Sequence, residues 1–176
     1  MERIAVEYQL KHISRAGIPE AIEKAGLYHT LDEPEEAESI CRDILAIEPE
    51  HQFALRLLGL ALTDQFTGAA SDRYRETEEV FQKLSDPYER LYYSAILHER
   101  RGKAQLKAGH LPISLLPLFE HALNLYAKAE SIRPAGNDDA ILRWNRCVRL
   151  LQHTYDWEET QQEGIPFEAY DAAPPR

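Results

Sequence analysis

Residues 37–49 read AESICRDILAIEP and residues 122–134 read ALNLYAKAESIRP. Aligned on their first alanines, Ala37 with Ala122, they match at three further offsets: Cys41 with Tyr126 four positions on, Ile44 with Ala129 seven on, and Pro49 with Pro134 twelve on. A weaker copy runs through Thr77, Phe81 and Leu84. Steps of four and three place these side chains on one helix face, and the closing proline ends the helix because it lacks an N–H and clashes with the preceding turn. A helix recurring in this form belongs to a unit that buries its apolar face by stacking on copies of itself.

Outward from these stretches, apolar residues keep recurring at three and four, and alternating β-branched runs are nearly absent, so the chain is read as all-α. A first helix is expected from about Glu2 to Arg15, ending near Gly17. Pro19 suits the start of a second, which reaches about Leu31, and Pro34 opens a third that ends before Pro49. Acidic Glu35, Glu36 and Glu38 crowd the opening of that third helix, where they complement the helix dipole. Further helices are expected over His51–Asp64, Ser71–Leu84 and Tyr88–Ala108, and, after a break at Gly109 and Pro112, another that reaches Ile132. Asn137, Asp138 and Asp139 supply capping side chains for a last helix that ends near Tyr155. The division that follows is an N-terminal helix over 1–17, a repeat domain over 18–155 and a flexible acidic tail over 156–176.

The small–large–small–proline pattern resembles the tetratricopeptide repeat (TPR) family, in which it marks the second helix of each helix pair. Leu58-Gly59, nine and ten residues beyond Pro49, also match the Leu-Gly step of that family's first helix. The resemblance covers roughly Ile18 to Leu151. It implies a right-handed superhelix of about three helix pairs with a C-terminal capping helix, and a concave groove lined by first helices that holds a partner's peptide or helix. Forty residues separate Ala37 from Thr77 and forty-five separate Thr77 from Ala122, against a family period of about 34. Insertions are therefore expected near Thr67–Arg75 and near His110–Leu118. Arg143-Trp144 stands where a second Leu-Gly step would fall, so the last helix is read as a cap or a diverged repeat.

Carried over from Leu58-Gly59, the family's groove positions fall on Phe53, Arg56, Leu57, Leu60, Thr63 and Asp64, with Leu57 and Leu60 as an apolar floor and Arg56 as a charged rim. Tyr93, Arg100, Asn145 and Arg149 extend this partner-binding set. Tyr92 and Tyr93 suit either groove or core. The Lys, Asn and Arg constellation by which some members clamp a C-terminal carboxylate is not visible, because Leu60 stands where an amide is wanted.

A net charge of −10 over 176 residues disfavours general nucleic-acid binding, which draws its affinity from clustered Lys and Arg. Two local basic features stand out. His98-Glu99-Arg100-Arg101-Gly102-Lys103 reads as either an oxyanion grip or a solvated helix end, and Arg143, Arg146 and Arg149 form a stripe that would select an acidic partner. Trp144 and the cysteines Cys41 and Cys147, which lack CxxC spacing, read as core. No HExxH, glycine-rich phosphate loop or GxSxG occurs, so no metal, cofactor or catalytic residue is expected. No stretch approaches the roughly 18 apolar residues that span a membrane, and the expected compartment is the cytoplasm.

The expected function is that of a non-enzymatic adaptor or scaffold binding a protein or peptide, with self-association left open. The alternatives are a dedicated chaperone for a secreted protein and, behind it, a nucleic-acid-associated protein. In the tail, Ile165, Phe167 and Tyr170 among acidic residues suit an apolar groove with a basic rim. Ala37→Trp or Ala129→Trp should overpack a close helix contact by about 1–3 kcal/mol or more. The melting temperature then falls by about 2–4 °C per kcal/mol, and a mutant that melts like wild type would refute the register.

Overall fold

The structure, a computed structural model, describes residues 8–163. They form seven α-helices and, among the described residues, no strand: α1 (Ile18–Thr30), α2 (Pro34–Ile47), α3 (Gln52–Asp64), α4 (Tyr74–Gln82), α5 (Pro87–Lys107), α6 (Pro112–Ser131) and α7 (Asp139–Glu163). Prolines stand in the first turn of α1, α2, α5 and α6. Side chains cap others: the Asp86 carboxylate accepts the Tyr88 amide at 2.8 Å before α5, and Asn137 Oδ1 accepts the Asp139 amide at 3.0 Å before α7.

Each helix packs on its successor, and α1 also packs on α3, as α3 does on α5. Three hairpin-like pairs result, α1–α2, α3–α4 and α5–α6, with α7 against α6. Small residues on the first helix of a pair let the second approach closely. Ala25 and Cys41 share one core cluster with Phe81 and Leu58, and Ala95 and Tyr126 share another with Ala122, Ala129 and Cys147. Gly59 is required by space: a Cβ there would lie 2.1 Å from Phe81 Cε1. Gly102 admits Phe119 in the same manner, at 2.7 Å from its Cζ. The recurring residues Ala37, Cys41, Ile44, Thr77, Phe81, Ala122, Tyr126 and Ala129 are all fully buried, which is what a close helix–helix contact demands.

The two stretches expected as insertions differ in kind. Residues 65–73 form a loop, held by the Asp72 carboxylate, which accepts the Thr67 and Gly68 amides at 2.9 and 2.8 Å. Gly68 has φ +85°, and a Cβ on it would meet the Ala104 carbonyl at 2.7 Å, so only glycine seats the loop on α5. The second insertion is helix on both sides of a short turn. α5 and α6 have 21 and 20 residues where α1 and α2 have 13 and 14, so the third pair is longer by about two turns.

Two terminal expectations need correcting. Residues 8–14 are not helical and only Arg15–Gly17 forms a 3-10 turn, so the described part of the expected N-terminal helix is absent, and residues 1–7 lie outside the described residues. Tyr8 and Leu10, two of its apolar positions, are each 91% exposed, and an isolated short helix without packing is marginal in water. At the other end α7 continues to Glu163, past the expected boundary at Tyr155. The docking segment Ile165–Tyr170 lies outside the described residues.

Candidate functional site

The first helices of the pairs bring a series of polar groups into register. On α1, His29 Nε2 lies 2.8 Å from Asp64 Oδ2 on α3, and the other Asp64 oxygen accepts Arg100 on α5. Arg100 also donates to the Thr63 hydroxyl at 2.6 Å and to the Leu60 carbonyl at 3.2 Å. Nearer the start of α3, Arg56 donates to Glu89 on α5 at 2.9 Å. Its guanidinium carbon sits 5.1 Å from the centroid of the Phe53 ring, while its Nε is buried without a partner. Further along, Glu99 of α5 is fully buried. It accepts Lys103, the Tyr126 hydroxyl at 2.5 Å and Arg143 of α7 at 3.3 Å. Burial alone would raise the Glu99 pKa, but the hydrogen bonds from Lys103 and Tyr126 and the neighbouring cations hold it below the usual carboxylate range. Tyr126 is pushed up by burial and by the Glu99 charge.

The residues carried over from the family pattern therefore separate into three groups. Phe53 is 47% exposed, and Leu60 and Tyr93 are half-buried. Arg56, Asp64 and Arg100 reach solvent in part but are committed to partners on neighbouring helices. Leu57 and Thr63, at 5% and 3% exposure, are core. The expected apolar floor is thus reduced to Leu60, because Leu57 packs into the cluster around Phe81 and Leu97. Tyr93 stacks on Phe81 of α4 at 5.4 Å between centroids and Tyr92 lies 6.0 Å from Tyr126 of α6, so both tyrosines seal helix seams.

On α7, Arg143 turns inward to Glu99, whereas Asn145 is half-buried and Arg146 and Arg149 are exposed. The three arginines accordingly do not act as one stripe. Trp144 packs on the cluster of Tyr126 and Cys147. Glu99, read within the basic cluster of α5, is fully buried, and His29 and Glu89 were missed, since nothing local marks them. Their spacing does: His29 pairs with Asp64 across 35 residues, Asp64 with Arg100 across 36, and Arg56 with Glu89 across 33.

A second constellation joins α2 to α4 and to the loop between α3 and α4. Glu38, 9% exposed, accepts Arg73 through both oxygens at 2.5 and 2.6 Å, with Gln65 at 2.7 Å and Arg42 at 2.9 Å. Arg42 continues to Glu76 across 34 residues. The hydrogen bonds from Arg73 lead the other donors in lowering the Glu38 pKa from 4.5 to about 2. A shifted carboxylate is a catalytic candidate only where a substrate can approach its free lone pairs. Here four hydrogen bonds occupy them, and the arrangement ties helix pairs together. In the basic cluster, likewise, His98 lies against His121 at 4.2 Å between rings and beside Tyr74 at 3.0 Å. Burial, then His121 and Arg101, lowers its pKa to about 4. Cys41 and Cys147 are fully buried, and burial pushes both thiols up to about 12, which removes them as nucleophiles. No helix among the described residues is long and apolar enough to cross a membrane.

No protein-family model matches the chain, and neither the curated proteins nor the solved structures provide a match.

The Glu38 cluster has a pH signature. Its folded-state pKa lies below the ordinary 4.5, so its contribution to stability is present above pH 4.5 and is lost as the pH falls toward 2. Thermal melts of wild type and Glu38→Gln should differ most near neutrality and converge through that window. A gap that stays constant down to pH 2 would contradict the assignment.

Proposed function

We propose that this chain is a TPR-type helical-repeat protein. In this reading three helix pairs form a right-handed superhelix capped by α7, and the face of α1, α3, α5 and α7 is a concave, non-enzymatic binding surface for a segment of another protein. The observation that carries the repeat reading is the period of the cross-pair contacts. Glu38–Arg73, Arg42–Glu76, His29–Asp64, Arg56–Glu89 and Asp64–Arg100 all span 33 to 36 residues, in keeping with a repeat of about 34 residues. Helix pairs whose first helices touch while their second helices stand further apart curve toward the first helices, and α1–α3 and α3–α5 are the close contacts here.

Phe53 with Arg56 across its ring is the anchor of that face. Binding hot spots are enriched in aromatic residues and arginine, held in place before the partner arrives. Arg56 is fixed by Glu89 and in turn orders the ring. The partner is a peptide or helix that presents an apolar side chain to Phe53 and Leu60. Selection of an acidic partner rests on Arg146 and Arg149, because Arg56, Arg100 and Arg143 already hold carboxylates. The role is that of a cytoplasmic adaptor or scaffold.

A photo-crosslinking residue at Phe53, expressed in cells, should form a discrete adduct with one partner protein, and the same residue at the exposed Glu79 of α4 should not. Phe53→Ala should weaken that interaction at least about tenfold, or 1.4 kcal/mol, while leaving the melting temperature nearly unchanged. Adducts confined to position 79, or equal at both positions, would place the binding surface elsewhere.

A further inference from the structure

The first helix pair has an open end. On the side away from α3 and α4, α1 packs against the 3-10 turn, and Ile13 of the segment leading to it joins the cluster around Ile18 and Ile44. A cleft of about 250 Å3 opens there between Ile13, Ala21 and Ile40, with Glu20, Lys24 and Asp43 on its rim. The chain enters the body at Ile13, which packs with Ile18 and Ile44. Just before this point stand Tyr8 and Leu10, each 91% exposed, more than any other large apolar side chain among the described residues. Leu10 is three residues from Ile13, so it lies within roughly 11 Å of the cleft wall.

We propose that this end is a self-association surface, in which Tyr8 and Leu10 of one copy seat in the Ile13–Ala21–Ile40 cleft of a second copy, and reciprocally. The arm and the cleft occupy the same end of the molecule, so a two-fold axis brings each arm to the other copy's cleft and satisfies both apolar features in one closed contact. The charges also suit a copy of the same chain. The rim carries both signs, Glu20 and Asp43 with Lys24, and Lys11 on the arm complements the acidic pair. A partner of a single charge would leave half the rim unpaired. The arm does not fill its own cleft: residues 8–14 are non-helical, Ile13 is already fixed in the wall, and both large side chains stand free of the surface.

Burying one Tyr and one Leu removes on the order of 300 Å2 of side chain per arm. With the matching cleft surface and the two-fold copy, the total reaches about 1,200 Å2, the lower end for specific interfaces. The dimer is therefore one that dissociates on dilution. It is independent of the binding face on α1, α3, α5 and α7 and stands or falls separately.

Two differently tagged full-length chains, one carrying Leu10→Cys and the other Ala21→Cys, test it on mixing under mild oxidation. Buried Cys41 and Cys147 do not compete. A disulfide between the two tags is expected, together with a monomer–dimer equilibrium of wild type in sedimentation that Leu10→Asp converts to monomer without changing the circular dichroism. An intrachain disulfide in a monomeric Leu10→Cys/Ala21→Cys double variant would show the arm covering its own cleft and overturn the proposal. Wild type that sediments as a monomer from low to high micromolar concentration would overturn it whatever the crosslinks.

Discussion

The structure depends on how closely the two helices of each pair approach. Phe81 lies against the bare backbone of Gly59, and Phe119 against that of Gly102, in positions where even one methyl group would collide. Where the first helix carries Ala25, the second carries the small Cys41, and where it carries Ala95, the second carries Tyr126 beside Ala122 and Ala129. Each pair buries its apolar stripe only at this separation. The separation also sets where the next pair lands. The ion pairs between pairs then follow: Glu38 with Arg73, Arg56 with Glu89, and Asp64 between His29 and Arg100 are close because the helices beneath them are held at a fixed distance. Their rim positions make most of them worth little individually. Glu99 differs, since it is fully buried and joins α5, α6 and α7 through three donors.

Much of this was legible in the sequence because the punctuation is local. Pro34 opens α2 where the residues alone place it, and Asn137 caps α7 as expected. The buried alanines were legible because they recur at fixed offsets. The length of α5 was legible as Tyr88–Ala108, but the start of α6 was not: Gly109 and Pro112 read as a break, yet Pro112 begins α6 and Pro117 is accommodated inside it. The pattern Ile4, Tyr8 and Val6, Leu10, Ile13 was read as a helix, but of its described positions Ile13 packs on the body while Tyr8 and Leu10 are exposed, and periodicity carries no information about whether a partner element exists. Pairing of charges across 33 to 36 residues is visible only once the repeat is known, which is why His29 and Glu89 went unnoticed.

The candidate face follows from the same constraint. A family pattern identifies which helical positions point toward a groove, but not whether a neighbouring helix covers them. Leu57 is covered and Phe53 is not. The arginines that suggested attraction to acid are largely neutralised within the protein, so the face presents an aromatic anchor among paired charges rather than a basic surface. Such pairing orders long side chains before a ligand arrives and lowers the entropy lost on binding.

Contact between a glycine of the first helix and an aromatic of the second fixes the separation of the second and third pairs, and a double-mutant cycle over Gly59→Ala and Phe81→Leu measures it most directly. If the ring rests on the glycine backbone, Gly59→Ala should destabilise the wild-type background by about 1–3 kcal/mol. Much of that loss should disappear once Phe81 is shortened, giving a coupling energy of about 1 kcal/mol or more. Losses that add independently would show that the two residues do not set the spacing of the helices.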